Sequence, residues 1–284
     1  MGLFTPYSFL QQKAVAAGGG AQFQFRTDAY ASALKLAIPG ALFTELGMSN
    51  YYDDVHADIA GTGTNIAATP TGSASEFYED TTAGQIKWPG EEYASSMFLE
   101  EAGCWGGVQQ ATSSPPADDQ FYFGSLNWVI EGWYYLTDTF TRPPYWKVGI
   151  RHINYDINLD FGFPSSLNPA QFRGRMVLDT STTGETQYFA SDQTNLTNQW
   201  VHVAWVRSGN NKYFYYNGTR YMNNTASIGS IDANGAFIRI LRGENTTNDG
   251  TSGAIQDFRV YIGTDKGYTG ATITTPDSIV EYIG

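Results

Sequence analysis

The run Trp200–Arg207, followed by Tyr213–Thr219, constrains the fold of this chain more than any other part of the sequence. Strand alternation separates the residues of the first run into two faces, with Val201, Val203 and Trp205 on one and His202, Ala204 and Val206 on the other. Asn217-Gly218 then suits a tight turn, because both central positions of a type I′ turn need positive φ. The pattern predicts two aromatic-rich strands joined by a short polar loop.

Similar short segments recur along the chain from about residue 21, including Val129–Leu136, Val148–Phe163 and Gly253–Ile262. Turn formers separate them, and the 31 Gly favour many short strands and turns over helices. Short strands at this spacing predict an all-β sandwich of two antiparallel sheets. We divide the chain into an arm with a Gly-rich connector at residues 1–25 and one sandwich at residues 26–284.

The charge balance excludes some partners. The chain has 16 basic and 28 acidic residues, a formal net charge of −12. Binding to phosphates needs clustered Lys and Arg, so we expect no nucleic-acid partner, and attraction to anionic lipid is equally unfavourable. The N-terminus has no basic region before an apolar run, so it does not read as a secretory signal. The single cysteine, Cys104, rules out an internal disulfide and favours folding in a reducing cytoplasm.

The N-terminal segment differs from the rest. It combines apolar side chains with Gln and Lys, and residues 16–20 (Ala-Ala-Gly-Gly-Gly) form a flexible connector. A disordered terminus is the default interpretation. We favour a docked assembly arm instead, because an idle tail gains nothing from exposed aromatic residues. The docking residues would be Phe4, Tyr7, Phe9 and Leu10.

Several segments, in chain order, resemble the laminin G-like or concanavalin A-like jelly roll. Residues 126–133 (Leu-Asn-Trp-Val-Ile-Glu-Gly-Trp) are similar to that family's F-T-I-E-x-W strand, and residues 198–205 to its W-H-H-V-A strand. Residues 214–218 match the L-Y-V-N-G hairpin, and residues 253–261 match the closing G-x-I-D-D-F-R-I-Y strand, with Gln256 in place of the first acid. The resemblance implies a jelly-roll β-sandwich, and its opening segments look like those of LamG-type proteins common in tailed phages.

Catalytic patterns are missing from the sequence. Related glycoside hydrolases carry alternating acids on one strand, which places both carboxylates on one face. Here Glu91-Glu92 and Glu100-Glu101 are adjacent instead. None of the three His belongs to a zinc-type pair, and no phosphate loop occurs, so we predict no enzyme activity, no metal and no cofactor. His202 is better explained as a strand residue than as a base.

One polar pattern is a candidate glycan face. Alternation gives Asn154, Asp156, Asn158 and Asp160 a common strand face. Asn and Asp bond sugar hydroxyls as donors and acceptors, whereas the calcium-loop pattern fails because Gly and Glu are missing at the required positions. The solvated face of an ordinary strand is the other interpretation, and the one that we favour.

Together with the phage resemblance, these features predict a non-enzymatic virion protein made in the host cytoplasm. The arm would anchor a LamG-like sandwich to other virion proteins of the capsid or tail, in the manner of a head decoration protein. We expect a homo-oligomer or a symmetric assembly, with cell-surface polysaccharide as a ligand of the sandwich. The alternative is a carbohydrate-binding receptor module, such as a tail fibre or a lectin.

Overall fold

The fold is taken from a computed structural model of the chain. It describes residues 23–66, 68–70, 77–82, 86–88, 95–99, 108–110, 121–136, 145–151, 156–162, 173–177, 185–188, 198–224, 237–240 and 253–282. The predicted arm residues Phe4, Tyr7, Phe9 and Leu10 lie outside these ranges, as does Asn154.

Strands make up almost all of the regular structure in these ranges. They are β1 (Phe23–Phe25), β2 (Leu34–Ile38), β3 (Ala68–Pro70), β4 (Phe77–Asp80), β5 (Ser96–Leu99), β6 (Val108–Gln110), β7 (Trp128–Leu136), β8 (Tyr145–Arg151), β9 (Asp156–Gly162), β10 (Arg173–Val177), β11 (Glu185–Tyr188), β12 (Trp200–Ser208), β13 (Asn211–Tyr216), β14 (Thr219–Asn224), β15 (Phe237–Ile240), β16 (Gly253–Ile262) and β17 (Val280–Tyr282). A short helix, α1 (His56–Ala60), and two 3-10 turns, Ala31–Ala33 and Thr44–Leu46, complete the set. No helix within the described ranges is long and apolar enough to cross a membrane.

Two large antiparallel sheets form the sandwich, which confirms the predicted all-β class. The larger sheet has the order β14-β13-β12-β7-β16-β5-β4, and β2 also pairs with β16. The smaller sheet has the order β11-β10-β9-β8-β15. Two further two-stranded pairs, β1-β17 and β3-β6, are not hydrogen-bonded to either of these sheets.

The larger sheet is buried on both faces. Its inner face packs against the smaller sheet, where Trp128, Trp205 and Phe258 share one cluster with Leu159 and Met176. The two sheets approach each other closely at Gly174 of β10, where an added Cβ would lie 2.5 Å from the ring of Phe214 in β13. The outer face carries a second apolar cluster, which includes the following residues: Val129, Ala204, Val206, Tyr215, Tyr261, Phe25, Phe43 and Ile279. This second layer explains why every residue of β16 is buried.

The opening hairpin prediction is confirmed. β12 pairs with β13 from Val203↔Tyr216 to Ser208↔Asn211. Asn217 and Gly218 have φ values of 45° and 77°, as the tight turn requires. That turn leads into β14, a third strand that the sequence did not indicate.

Three expectations need correction. The segment Val148–Phe163 is not one strand, because β8 and β9 pair antiparallel with each other. The region 50–75 is loop-like in sequence, with Gly61-Thr-Gly63 and Pro70-Thr-Gly72, yet it contains α1 and β3. β1, assigned to the connector, pairs with β17 in a register that joins Phe23 to Tyr282. β1 and β3 form by pairing with strands that lie far away in sequence, and local sequence carries little of that information.

Candidate functional site

The outer face of the larger sheet has two different halves. A β-bulge in β16, between Gln256 and Arg259, separates them. Asp257 occupies the bulge with a φ of 51°, so that Phe258 turns to the inner face while Arg259 stays on the outer one. A segment that we call the strap, residues 264–280, crosses this outer face.

A buried ion pair holds the strap to the sheet. The Nζ of Lys266 lies 2.5 Å from Oε1 of Glu131, which is fully buried in β7. The same ammonium lies 4.3 Å from the ring centre of Tyr261 and 5.1 Å from that of Tyr268. Burial by itself would raise the pKa of Glu131, but the charge and the hydrogen bond of Lys266, together with the nearby His202, outweigh burial and hold that pKa well below its usual range.

His202 of β12 completes this cluster. Its Nε2 lies 3.6 Å from Oε2 of Glu131, which is beyond hydrogen-bond distance. Its ring contacts that of Trp133, with ring centres 5.3 Å apart. The imidazole is fully buried in β12, in keeping with its prediction as a strand residue.

A second ion cluster fastens the segment after β1. Arg259 donates from Nη1 to Asp28 at 2.8 Å and from Nε to Asp257 at 2.5 Å. Tyr261 donates its hydroxyl to Asp28 at 2.5 Å. Burial opposes ionisation of Asp28, yet Arg259 and the Tyr261 hydrogen bond lower its pKa. Arg259 is thus paired with two carboxylates, and these contacts tie the segment after β1 to the larger sheet.

The other half is lined by aromatic residues and remains partly open. Trp133 of β7 lies beside His202, and on the next row Tyr135 lies beside Trp200 of β12. Trp88 contacts Trp133 edge-on, with ring centres 6.0 Å apart. We call this group, Trp88, Trp133, Tyr135 and Trp200, the aromatic ledge. Trp133 and Tyr135 are each 8% exposed, whereas Trp88 and Trp200 are half-buried.

In the part of the chain that the structure describes, few polar groups border the ledge, and one of them is a cation. The Nζ of Lys87, a half-buried residue, lies 4.0 Å from the ring centre of Trp133 and 5.6 Å from that of Trp88. Burial lowers the pKa of Lys87. On the other side, the exposed Asn198 lies with Oδ1 3.5 Å from the hydroxyl of Tyr135.

Gln256 positions Lys87 and Trp88. Its Oε1 accepts a hydrogen bond of 2.6 Å from the backbone N–H of Lys87, and its Nε2 donates to the carbonyl of Ser95 at 3.1 Å. Gln256 is fully buried, and its amide accepts and donates at once, whereas an ionised carboxylate could only accept. This is the position where the resemblance has an acid, so a departure from the pattern could have drawn attention to it.

The predicted glycan face lies on the smaller sheet, away from the ledge. Asp156, Asn158 and Asp160 occupy alternate positions of β9. Leu159 is fully buried against the larger sheet, so these positions belong to the opposite face of β9. Their binding of a glycan stays a prediction, as does the docking of the arm residues.

From the sequence, five aromatic residues are expected in the core or at its rim rather than in a ligand site: Trp133, Trp200, Trp205, Phe258 and Tyr261. Trp205, Phe258 and Tyr261 are fully buried, as expected. Trp200 is half-buried at the ledge, and its Nε1 has no hydrogen-bond partner among the described residues. Sequence reasoning missed Lys87 and Trp88, because they lie outside any strand-like alternation.

The two sheets and the layer over the outer face define a lectin-type β-sandwich. The family profile Laminin_G_3, described as the concanavalin A-like lectin/glucanases superfamily, matches residues 107–264, more than half of the chain. The chain belongs to this family. No curated protein matches it.

Solved structures share the fold at low sequence identity. A structure described as a receptor binding domain has a TM-score of 0.53 at 14% identity, over 84% of this chain and 50% of that one. The binding domain of botulinum neurotoxin serotype D has a TM-score of 0.51 at 14% identity, over 82% of this chain and 48% of that one. The receptor binding domain of botulinum neurotoxin mosaic serotype C/D has a TM-score of 0.50 at 12% identity, over 82% and 48%. This chain thus spans about half the length of the structures that it matches.

Proposed function

We propose that this domain is a non-catalytic carbohydrate-binding module and that the aromatic ledge is its binding surface. The observation that carries the proposal is the ledge itself, where Trp88 and Trp200 stay half-buried beside Trp133 and Tyr135. Ligand sites are lined by aromatic side chains with a few well-placed polar groups. The apolar C–H face of a sugar ring packs on such rings, while Asn198 offers an amide to its hydroxyl groups.

A glucanase activity fits the ledge poorly. Glycoside hydrolysis needs two carboxyl groups on either side of the scissile bond. Among the described residues, one carboxylate lies on the outer face at the ledge end of the larger sheet. It is that of Asp80 in β4, which pairs with Ser96 of β5. Asp80 is buried and accepts a hydrogen bond of 2.8 Å from the backbone N–H of Thr82. The matched structures are described as binding domains, which supports a binding role.

The test is a glycan array followed by titration of the best ligand. We expect Trp88→Ala or Trp200→Ala to weaken binding by about tenfold or more, as truncation of a central aromatic contact does. Tyr122→Ala is the matched control, because Tyr122 is 43% exposed and lies outside the ledge. An array without any ligand, or equal affinities for all variants, would refute the proposal.

The arm supports a second, compatible proposal about location. Residues Phe4, Tyr7, Phe9 and Leu10 precede a Gly-rich connector, and the chain then enters the domain through β1. We propose that this arm anchors the module to other virion proteins of a tailed phage, within a symmetric assembly. Deleting residues 1–17 should abolish incorporation into particles while glycan binding persists. Replacing the four apolar residues by Ser, at unchanged length, should do the same, and normal incorporation of both variants would contradict the anchor.

A further inference from the structure

Among the residues that the structure describes, no charged group lies opposite the ammonium of Lys87. Its side chain is half-buried, and none of the ion pairs of the described residues includes it. Burial is the cause of its lowered pKa, and no charged group of these residues contributes. Lys266, by contrast, has Glu131 at 2.5 Å.

This arrangement is unusual in a chain of such composition. The protein carries 28 acidic residues and a net charge of −12, so carboxylates are plentiful. A partly desolvated ammonium costs free energy unless an opposite charge or an aromatic face compensates. The ring of Trp133, 4.0 Å from Nζ, supplies part of that compensation and holds the charge over the ledge.

The loop geometry fixes the position of this charge. The backbone N–H of Lys87 is held by Gln256, which is itself tied to Ser95. The backbone of Lys87 is therefore placed by a buried amide. Asp80, the outer-face acid at this end of the sheet, bonds to the N–H of Thr82 and does not affect the pKa of Lys87.

We propose that the ledge selects an acidic saccharide and that Lys87 binds its carboxylate. This inference rests on the proposed function of the ledge. The ligand carboxylate supplies the missing counter-charge while the sugar ring packs on Trp88 and Trp200. The net charge of −12 repels a dense polyanion, so the ligand carries its acidic sugars singly, among neutral ones.

The test compares two matched ligands by calorimetric titration. The probes are a neutral oligosaccharide bearing one glucuronic acid residue and the same compound with that carboxyl group converted to its methyl ester. We expect the wild-type protein to bind the acid about tenfold more tightly at 50 mM salt, with a smaller preference at 500 mM salt. Lys87→Met should lose the preference, whereas Lys87→Arg should keep most of it. Lys35→Met, which removes a lysine of β2, is the control and should behave as wild type.

The outcomes separate this inference from the proposed function. Equal binding of acid and ester by wild type, with loss of both in Trp88→Ala, would overturn the role of Lys87 and leave the ledge as a neutral glycan site. A preference for the acid that survives in Lys87→Met would overturn it as well. If the wild-type protein binds neither probe, the proposed selection of an acidic saccharide is refuted. The glycan array described above then decides whether the ledge binds glycans at all.

Discussion

Removing the Lys266 charge should destabilise the domain more than removing the whole ion pair. At a separation of 2.5 Å and an effective dielectric constant of about 20, the attraction between Lys266 and Glu131 is about 7 kcal/mol. Desolvation of the two charges costs several kcal/mol for each, so the net gain is small. In Lys266→Met the fully buried Glu131 is still desolvated, but the attraction to the ammonium is lost. The free energy of unfolding should therefore fall by about 3–5 kcal/mol. In the double variant Glu131→Gln/Lys266→Met neither charge remains, and we expect it to recover much of this loss.

Urea unfolding, followed by tryptophan fluorescence, measures these differences. The pH dependence gives an independent check. In wild type the depressed pKa of Glu131 contributes stability that is fully present well above the unfolded pKa of about 4.3 and is lost progressively as pH falls from there towards the folded value. Without Lys266, burial raises that pKa instead, so the variant should lose stability as pH rises through about 4.3, the ordinary pKa of Glu. The reasoning fails if Lys266→Met lies within about 1 kcal/mol of wild type at pH 7, or if the double variant is no more stable than the single one.

Substitution of Gly174 tests the packing between the sheets, with Gly132 as its control, and substitution of Gln256 tests the anchor of the Lys87 loop. Gly174→Ala should cost about 1–3 kcal/mol by overpacking the ring of Phe214, whereas Gly132→Ala in β7, with its nearest contact at 3.4 Å, should stay close to wild type in the same urea assay. Gln256→Glu removes the donor to the Ser95 carbonyl and buries a carboxylate, so it should lower the free energy of unfolding by about 1–3 kcal/mol at pH 7. The lost stability should return as pH falls, and the variant should bind ligand at the ledge more weakly. Comparable stability for the two Gly variants, or unchanged stability and binding in Gln256→Glu, would show that these contacts matter little.

The sequence predicted the fold well because one physical rule governs the strands. Side chains of β12 alternate, so the inner position of Trp205 and the outer position of Ala204 follow from the order of residues alone. The second apolar layer was not predictable in this way. It depends on the segment after β1 and on the strap, whose contacts join residues far apart in sequence, as Trp133 does when its Nε1 donates to the carbonyl of Pro276 at 3.1 Å.

The ledge was harder to predict for the same reason. Trp133 and Trp200 looked like core residues, because alternation says which face a side chain takes but not how fully that face is covered. Lys87 and Trp88 belong to a loop that Gln256 holds in place from 169 positions away. Only the folded arrangement shows that the aromatic ledge and the Lys87 ammonium form a common surface, and that the buried Gln256 amide holds one edge of it in place.

The pairing of β1 with β17 also affects how the domain would respond to force. Phe23 and Tyr282 are cross-strand partners, so the chain enters and leaves the sandwich side by side. Tension applied between these two points would open the pair one hydrogen bond at a time, as a zipper opens, rather than load all its bonds together. The domain would then be mechanically weak when stretched between its two ends. If it is pulled through one end alone, with the load carried by a ligand on the ledge, the pair is not unzipped and the sheets bear the force.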